Sequence, residues 1–228
     1  MVYPVYKHEG ETPLACVQRF KRCFPEYTPL PLTYAGRLDP MASGLLLFSD
    51  NESEKQALLG LPKEYLLTIL VGLHSDTGDI LGIITPHPGG TNEIPEGTFN
   101  QPYPAYASKT ISGKPLWVHA REGNPQTVLH TVTIYSVEKT RVCTYTKEQL
   151  CTVVEKRIAL PGDFRQEAVR ASWQTIPDGV YELLTFRIRC ASGTYMRVLA
   201  DTYGGLAWKI ERVGIGEYEI KKSSTNIM

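Results

Sequence analysis

The chain has 228 residues, 42% hydrophobic, 10% aromatic and 21% charged, with 24 Lys and Arg against 24 Asp and Glu. That composition excludes a disordered, collagen-like or coiled-coil chain, and no stretch approaches the roughly 18 apolar residues of a membrane-spanning helix. A balanced charge gives no global field for polyanions, so any nucleic acid must be held by a local basic groove.

Residues 2–6 predict a short strand at a sheet edge, where Pro4 is tolerated. Thr12-Pro13 predicts a helix start, with Leu14, Val17, Phe20 and Phe24 on its apolar face. Prolines 25, 29 and 31 break it into an irregular loop. Residues 42–48 read as a buried strand, 52–59 as a short helix and 64–73 as a strand. Residues 74–79 form a polar turn and 85–100 a loop, after which 101–107 is extended because its prolines exclude helix. Residues 127–143 alternate as one or two strands. Thr146 caps a helix reaching Leu160, with Leu150, Val153, Val154 and Ile158 on one side. A second short helix follows near 165–173, then a strand over Val180–Cys190, then a helix opened by Gly193-Thr194. Strands and helices mix without a βαβ rhythm, which predicts an α+β fold: a mostly antiparallel mixed sheet with flanking helices.

Lys7, His8, Glu9 and Glu11 interrupt any signal-like apolar segment, so a cytoplasmic location is expected. Five cysteines without a C-x-x-C pair argue for reduced, mostly buried thiols rather than structural zinc or disulfides. The five histidines lack metal-site spacing, and neither a phosphate loop nor a Gly-x-Ser-x-Gly elbow occurs. No metal and no cofactor are expected.

Gly36-Arg37-Leu38-Asp39-Pro40 is the sharpest local feature. An aspartate between Leu38 and Pro40 sits on a restricted backbone, as a carboxylate nucleophile or base requires, though Asp-Pro pairs also cap ordinary turns. In Gly193-Thr194-Tyr195-Met196-Arg197, Arg197 falls about one turn into a helix, where it either reaches a carboxylate or lies on a solvated face. Tyr65, at a strand start, can stack on a base and exchange a proton, or simply pack at a core edge. Residues 101–109 combine Tyr103, Tyr106, two prolines that exclude helix, and Lys109, which suits a stacked single strand or a structural strap.

Taken in order, these pieces resemble the TruB-type tRNA pseudouridine synthases. The resemblance rests on four blocks: Gly36 to Pro40 with Gly44; Lys63-x-Tyr65 with Gly72, Asp76, Thr77, Asp79 and Gly82; Gln101, Pro104, Tyr106 and Lys109 with Gly113 to Trp117 and Arg121; and Ser192 to Arg197 with Asp201. It implies isomerisation of uridine 55 in the tRNA T-loop, without cofactor or metal, by one catalytic domain spanning residues 1–228. The family's nucleophilic aspartate falls on Asp39, its active-site tyrosine on Tyr65, and the arginine that pairs with the aspartate on Arg197. Expected RNA contacts are Lys7, Tyr34, Gly36, Arg37, Lys55, Tyr106, Lys109, Arg121 and Tyr195.

Two motifs depart from the family pattern. Tyr34-Ala35-Gly36 stands where the family has His-Thr-Gly, so Tyr34 is expected to stack in place of the histidine. Tyr6-Lys7-His8 stands for Asp-Lys-Pro, of which only Lys7 carries over. Residues 144–178 replace a short hairpin as an insertion, and the C-terminal RNA-binding PUA domain is expected to be absent. The expected partner is the tRNA T-arm, bound by a monomer away from any membrane.

Overall fold

The computed structural model describes residues 1–162 and 165–220. Residues 163–164 of the expected insertion and 221–228 at the end of the expected domain lie outside the described residues.

Strand β1 (Val2–Lys7) leads to helix α1 (Pro13–Cys23), capped by the Thr12 hydroxyl accepting from Ala15 N, with Pro13 opening the helix. Cys16, Val17 and Phe20 form its buried face. Leu14, expected there, is 60% exposed: it sits in the first turn, before the helix reaches the sheet. After β2 (Thr33–Ala35), β3 (Ala42–Ser49) is buried at every position, and α2 (Glu52–Gly60) starts at an Asn51 cap. Strand β4 (Lys63–Val71) precedes a hairpin of β5 (Leu73–Ser75) and β6 (Ile84–Pro86). Strand β7 (Gly97–Pro102) corrects the loop expected through residue 100: its bonds to a long-range partner override the weak local signal.

Next come β8 (Thr110–Ile111), β9 (Lys114–Pro115), α3 (Leu116–Arg121) and the single long strand β10 (Leu129–Thr146). Helix α4 (Lys147–Ile158) opens with a reciprocal capping box between Thr146 and Gln149, and α5 (Gln166–Gln174) follows. Strand β11 (Val180–Cys190), helix α6 (Met196–Tyr203), β12 (Gly205–Ile215) and β13 (Tyr218–Glu219) complete the described chain. Helix α6 begins one residue later than a Thr194 cap would set it, with Tyr195 at the cap position. The Thr194 hydroxyl donates back to Ala191 O, at 2.9 Å, instead of capping.

One nine-stranded sheet runs β1-β3-β12-β4-β11-β10-β7, with β2 added beside β3 and β13 beside β12. Every pairing is antiparallel except β3 with β12. The parallel pair sets Gly44 against Arg212. Gly44 has φ +116°, and a Cβ there would lie 2.2 Å from Arg212 O, so this crossing requires glycine. Helices α1 and α6 cover one apolar core, around Phe20, Phe48 and Leu199. Helices α4 and α5 build a second, around Trp173, Trp208 and Leu150. Among the described residues no helix is long and apolar enough to cross a membrane.

All five cysteines are free, but only Cys16 and Cys190 are buried, and Cys23 is exposed. The expectation of mostly buried thiols therefore holds for two of them. Burial pushes both Cys16 and Cys190 up to about 11. At pH 8 about one in a thousand of these thiols is ionised, so a disulfide-exchange reagent should titrate Cys23 rapidly and these two only after unfolding. Fast labelling of Cys190 in the native protein would contradict the packing.

Candidate active site

The segment between β2 and β3 carries Asp39, and two buried cations hold its backbone from opposite sides. Arg212 on β12 donates from Nε to Leu45 O at 2.8 Å, from Nη2 to Gly36 O at 3.3 Å and from Nη1 to Arg37 O at 3.5 Å. Lys7 on β1 donates to Pro40 O at 3.1 Å, to Ala42 O at 2.5 Å and to His8 O at 3.0 Å. Lys7 is fully buried, which drives its ammonium down to about 8 against the pull of Glu11. An expected phosphate contact is thus a clamp on the Asp39 loop instead, because its three carbonyl partners keep it inside. Lys7→Met should lower stability by about 1–3 kcal/mol by stranding those carbonyls, and should slow turnover with the loosened loop. Urea unfolding and single-turnover rates would check both effects.

Arg197 comes from the first turn of α6. Its Nε donates to Asp39 Oδ2 at 2.8 Å, its Nη1 to Thr77 O at 2.5 Å and its Nη2 to Tyr106 O at 3.3 Å. The pair joins Asp39 through one nitrogen and is not bidentate, because the other two are committed to carbonyls. Burial opposes the charge on Arg197, but Asp39 and Asp79 hold it above the ordinary arginine value. Asp79 is buried as well. Burial raises its carboxyl above the usual range, opposed by Arg197 and by the Thr77 hydroxyl, which donates to it at 2.7 Å. Gln101 on β7 fixes the start of α6: its amide accepts from Tyr195 N at 2.9 Å and donates to Tyr195 O at 3.2 Å.

Asp39 stands where two cavities meet. One, of about 620 Å³, is lined by Tyr65, Tyr34, Arg37, Tyr195 and Arg212, with Gly36 at its edge. The other, of about 680 Å³, is lined by Asp79, Trp117, Arg121, Arg165 and Arg197. Asp39, Pro40 and Tyr106 line both. Tyr65, opposite Arg212 in the β4–β12 register, is only 8% exposed. Burial raises its phenol above the ordinary tyrosine value, opposed by the Arg212 charge, so it rests as a neutral phenol.

Of the five cations expected around Asp39, the structure brings Arg37 and Arg121 to the cavities. Lys55 lies on α2, paired with Glu52 at 2.6 Å, and lines neither cavity. Lys109 stands over the Tyr103 ring at 5.7 Å, also outside both. Arg212 was missed, whereas Asp79 was singled out only as a residue of the second family block and Arg165 only as one of the cations of segment 144–178. For Arg212 a signal existed: it occupies the inward phase of the alternation Ile210, Arg212, Gly214, where an arginine must be satisfied internally.

His74, His87 and Asp201 bring three ligand-type atoms within 4.8 Å of one another, from positions whose spacing gives no motif. Gly89 N donates to His87 Nδ1 at 3.0 Å, so the neutral ring carries its proton on Nε2, facing Asp201 at 3.3 Å. His74 Nδ1 lies 2.7 Å from the same oxygen. A ligating imidazole needs the opposite tautomer at His87, so the trio reads as a hydrogen-bonded carboxylate and two imidazoles.

An ion-paired loop aspartate at the junction of two cavities, over a mixed nine-stranded sheet, is placed to act as a nucleophile or base on a group held in either cavity. The family model for "TruB family pseudouridylate synthase (N terminal domain)" matches residues 31–157, and the chain belongs to this family. It is 29% identical over 210 residues to tRNA pseudouridine synthase B of Azoarcus sp. (strain BH72), covering 84% of this chain and 58% of that protein. It is 30% identical over 224 residues to the enzyme of the same name from Syntrophus aciditrophicus (strain SB), covering 92% and 56%. The chain therefore spans somewhat over half the length of these relatives. In fold it is similar to a solved structure described as a Cbf5-Nop10-Gar1 complex, with a TM-score of 0.54 at 18% identity, covering 96% of this chain and 50% of that one.

Proposed function

We propose that this chain, as one catalytic domain and as a monomer, isomerises a uridine of RNA to pseudouridine, with uridine 55 in the tRNA T-loop as the target. The observation that carries the reading is the Asp39–Arg197 pair, 2.8 Å long, set between the two cavities with Tyr65 in the wall of one. A uracil in a folded loop is shielded, so the nucleotide must be flipped out. The cavity beside Tyr65 has room for it, with the neutral phenol as a stacking face and Tyr34 and Tyr195 flanking. Asp39 then forms a bond to the substrate, at C1′ of the ribose or at C6 of the base, and the N1–C1′ bond breaks. The uracil then turns: on the C1′ route C5 displaces Asp39 from C1′ as it bonds there, and on the C6 route the Asp39–C6 bond breaks after C5 has joined C1′. In either case the C5 proton leaves to solvent through a water that the Tyr65 phenol hydrogen-bonds. Arg197 orients the carboxylate throughout.

Free cysteines suit a reducing cytoplasm. The relatives' name, tRNA pseudouridine synthase B, supports tRNA as the substrate. The test is tritium release from tRNA labelled at uracil C5. Release stoichiometric with one uridine is expected. No release from tRNA, with release from labelled ribosomal RNA, would reassign the substrate, and none from either would overturn the reading.

A further inference from the structure

Helices α4 and α5, between β10 and β11, occupy the stretch that the four family blocks leave unassigned. They grip the turn before β6. Trp173 Nε1 donates to Ile80 O at 3.3 Å, and the Ser172 hydroxyl accepts from Ile84 N at 3.1 Å. That turn carries Thr77 and Asp79, both partners of the Asp39–Arg197 site.

Arg165 stands at the head of α5 with φ +66°, a left-handed conformation that side-chain-bearing residues seldom adopt and that concentrates at functional sites. Its guanidinium forks onto Asp76, with Nη1 3.0 Å from Oδ2 and Nη2 3.2 Å from Oδ1, and lies 5.4 Å from the centre of the Tyr106 ring. It lines the same cavity as Asp39 and Arg197. On that cavity Arg121 stands 6.0 Å from the Trp117 ring, so two arginines are each backed by an aromatic face. The other cations of the segment are engaged elsewhere: Lys147 with Asp178, Arg157 with Glu9 and Arg170 with Glu155. Neither they nor Lys156 line this cavity.

We propose that Arg165, together with Arg121, forms a phosphate subsite that holds the RNA backbone beside the target nucleotide. The inference rests on the RNA-isomerase reading above. With the base beside Tyr65 and the reacting sugar at Asp39, a neighbouring backbone phosphate falls to the second cavity. A guanidinium held flat by a carboxylate and a ring is already oriented, so docking a phosphate loses little side-chain freedom. The Asp76 pair is exposed, at 43% and 38%, and pairs of that kind are weak in water, so a phosphate can share or replace the carboxylate.

The test is binding of a T-arm RNA hairpin, followed by fluorescence anisotropy across a salt series. Arg165→Gln should weaken binding about three- to tenfold. It should also flatten the log–log salt slope by about 0.7–0.9, the signature of one lost phosphate contact. Arg165→Lys should restore the slope, because an ammonium at the same place still neutralises one phosphate. Asp76→Asn, which removes the carboxylate charge and leaves Arg165 in place, should keep the full slope. An unchanged slope in Arg165→Gln, or the same flattening in Asp76→Asn, would overturn the subsite. Tritium release by the wild type is read separately. If the slope changes as expected and no tritium is released, the subsite stands and the isomerase reading falls. If the hairpin is not bound at all, both fall.

Discussion

Asp39→Asn is expected to reduce pseudouridine formation more than a hundredfold, a loss of over about 2.7 kcal/mol of transition-state stabilisation, with hairpin affinity within about threefold of wild type. The amide keeps the shape of the carboxylate and an oxygen that can still accept from Arg197 Nε, now 2.8 Å away. The loop is held through backbone carbonyls by Lys7 and Arg212, so its conformation does not depend on the Asp39 charge. What the substitution removes is the nucleophile, since an amide oxygen forms no productive bond to the substrate. Single-turnover tritium release beside anisotropy separates the two quantities. Turnover above about a hundredth of the wild-type rate would show that the carboxylate is not the nucleophile.

Arg197→Met should cripple turnover comparably and, unlike Asp39→Asn, should also destabilise the fold. Methionine fills similar space but leaves Thr77 O and Tyr106 O without a donor and Asp79 without its cation. Removing one partner of a buried pair costs about 3–5 kcal/mol, and less is expected here because Asp39 is 35% exposed. The destabilisation should depend on pH. Asp79 is held above the usual carboxylate range by burial, and losing Arg197 moves it further up. A carboxyl raised in the folded state contributes stability below its unfolded pKa and loses it as pH rises through the folded value. Arg197→Met should therefore be closest to wild type in acid and fall away toward neutral pH, as measured by urea unfolding. A pH-independent difference would rule out this coupling.

Much of the local structure was readable because its causes are local. Thr12-Pro13 and Thr146 mark helix starts through hydroxyls that reach backbone amides three residues on, and both caps are formed. Residues 42–48 and Val180–Cys190 read as strands from their apolar content and alternation, and both are strands. Errors fell where a distant partner decides. Residues 97–100 look like loop but are held as strand by Thr131 to Ile134 of β10. The α6 start moved because Gln101, from another strand, binds the backbone of Tyr195.

The motif around Asp39 and the arginine at 197 were legible as candidates, since each sits beside residues that restrict its backbone. By itself the sequence determined the caps, the buried strands and the residue types capable of the chemistry, all of which depend on neighbours within about a turn. Only the tertiary structure decided what those residues face. The fold inserts β12 between β3 and β4, which buries Arg212 against the Asp39 loop and sets Tyr65 opposite it. It turns Lys7 inward to three carbonyls and carries Arg165, 126 positions from Asp39 by number, into the cleft. The physical reason is that a charged side chain is stable inside only where distant backbone or carboxylate oxygens converge on it, and that convergence is a property of the packed sheet.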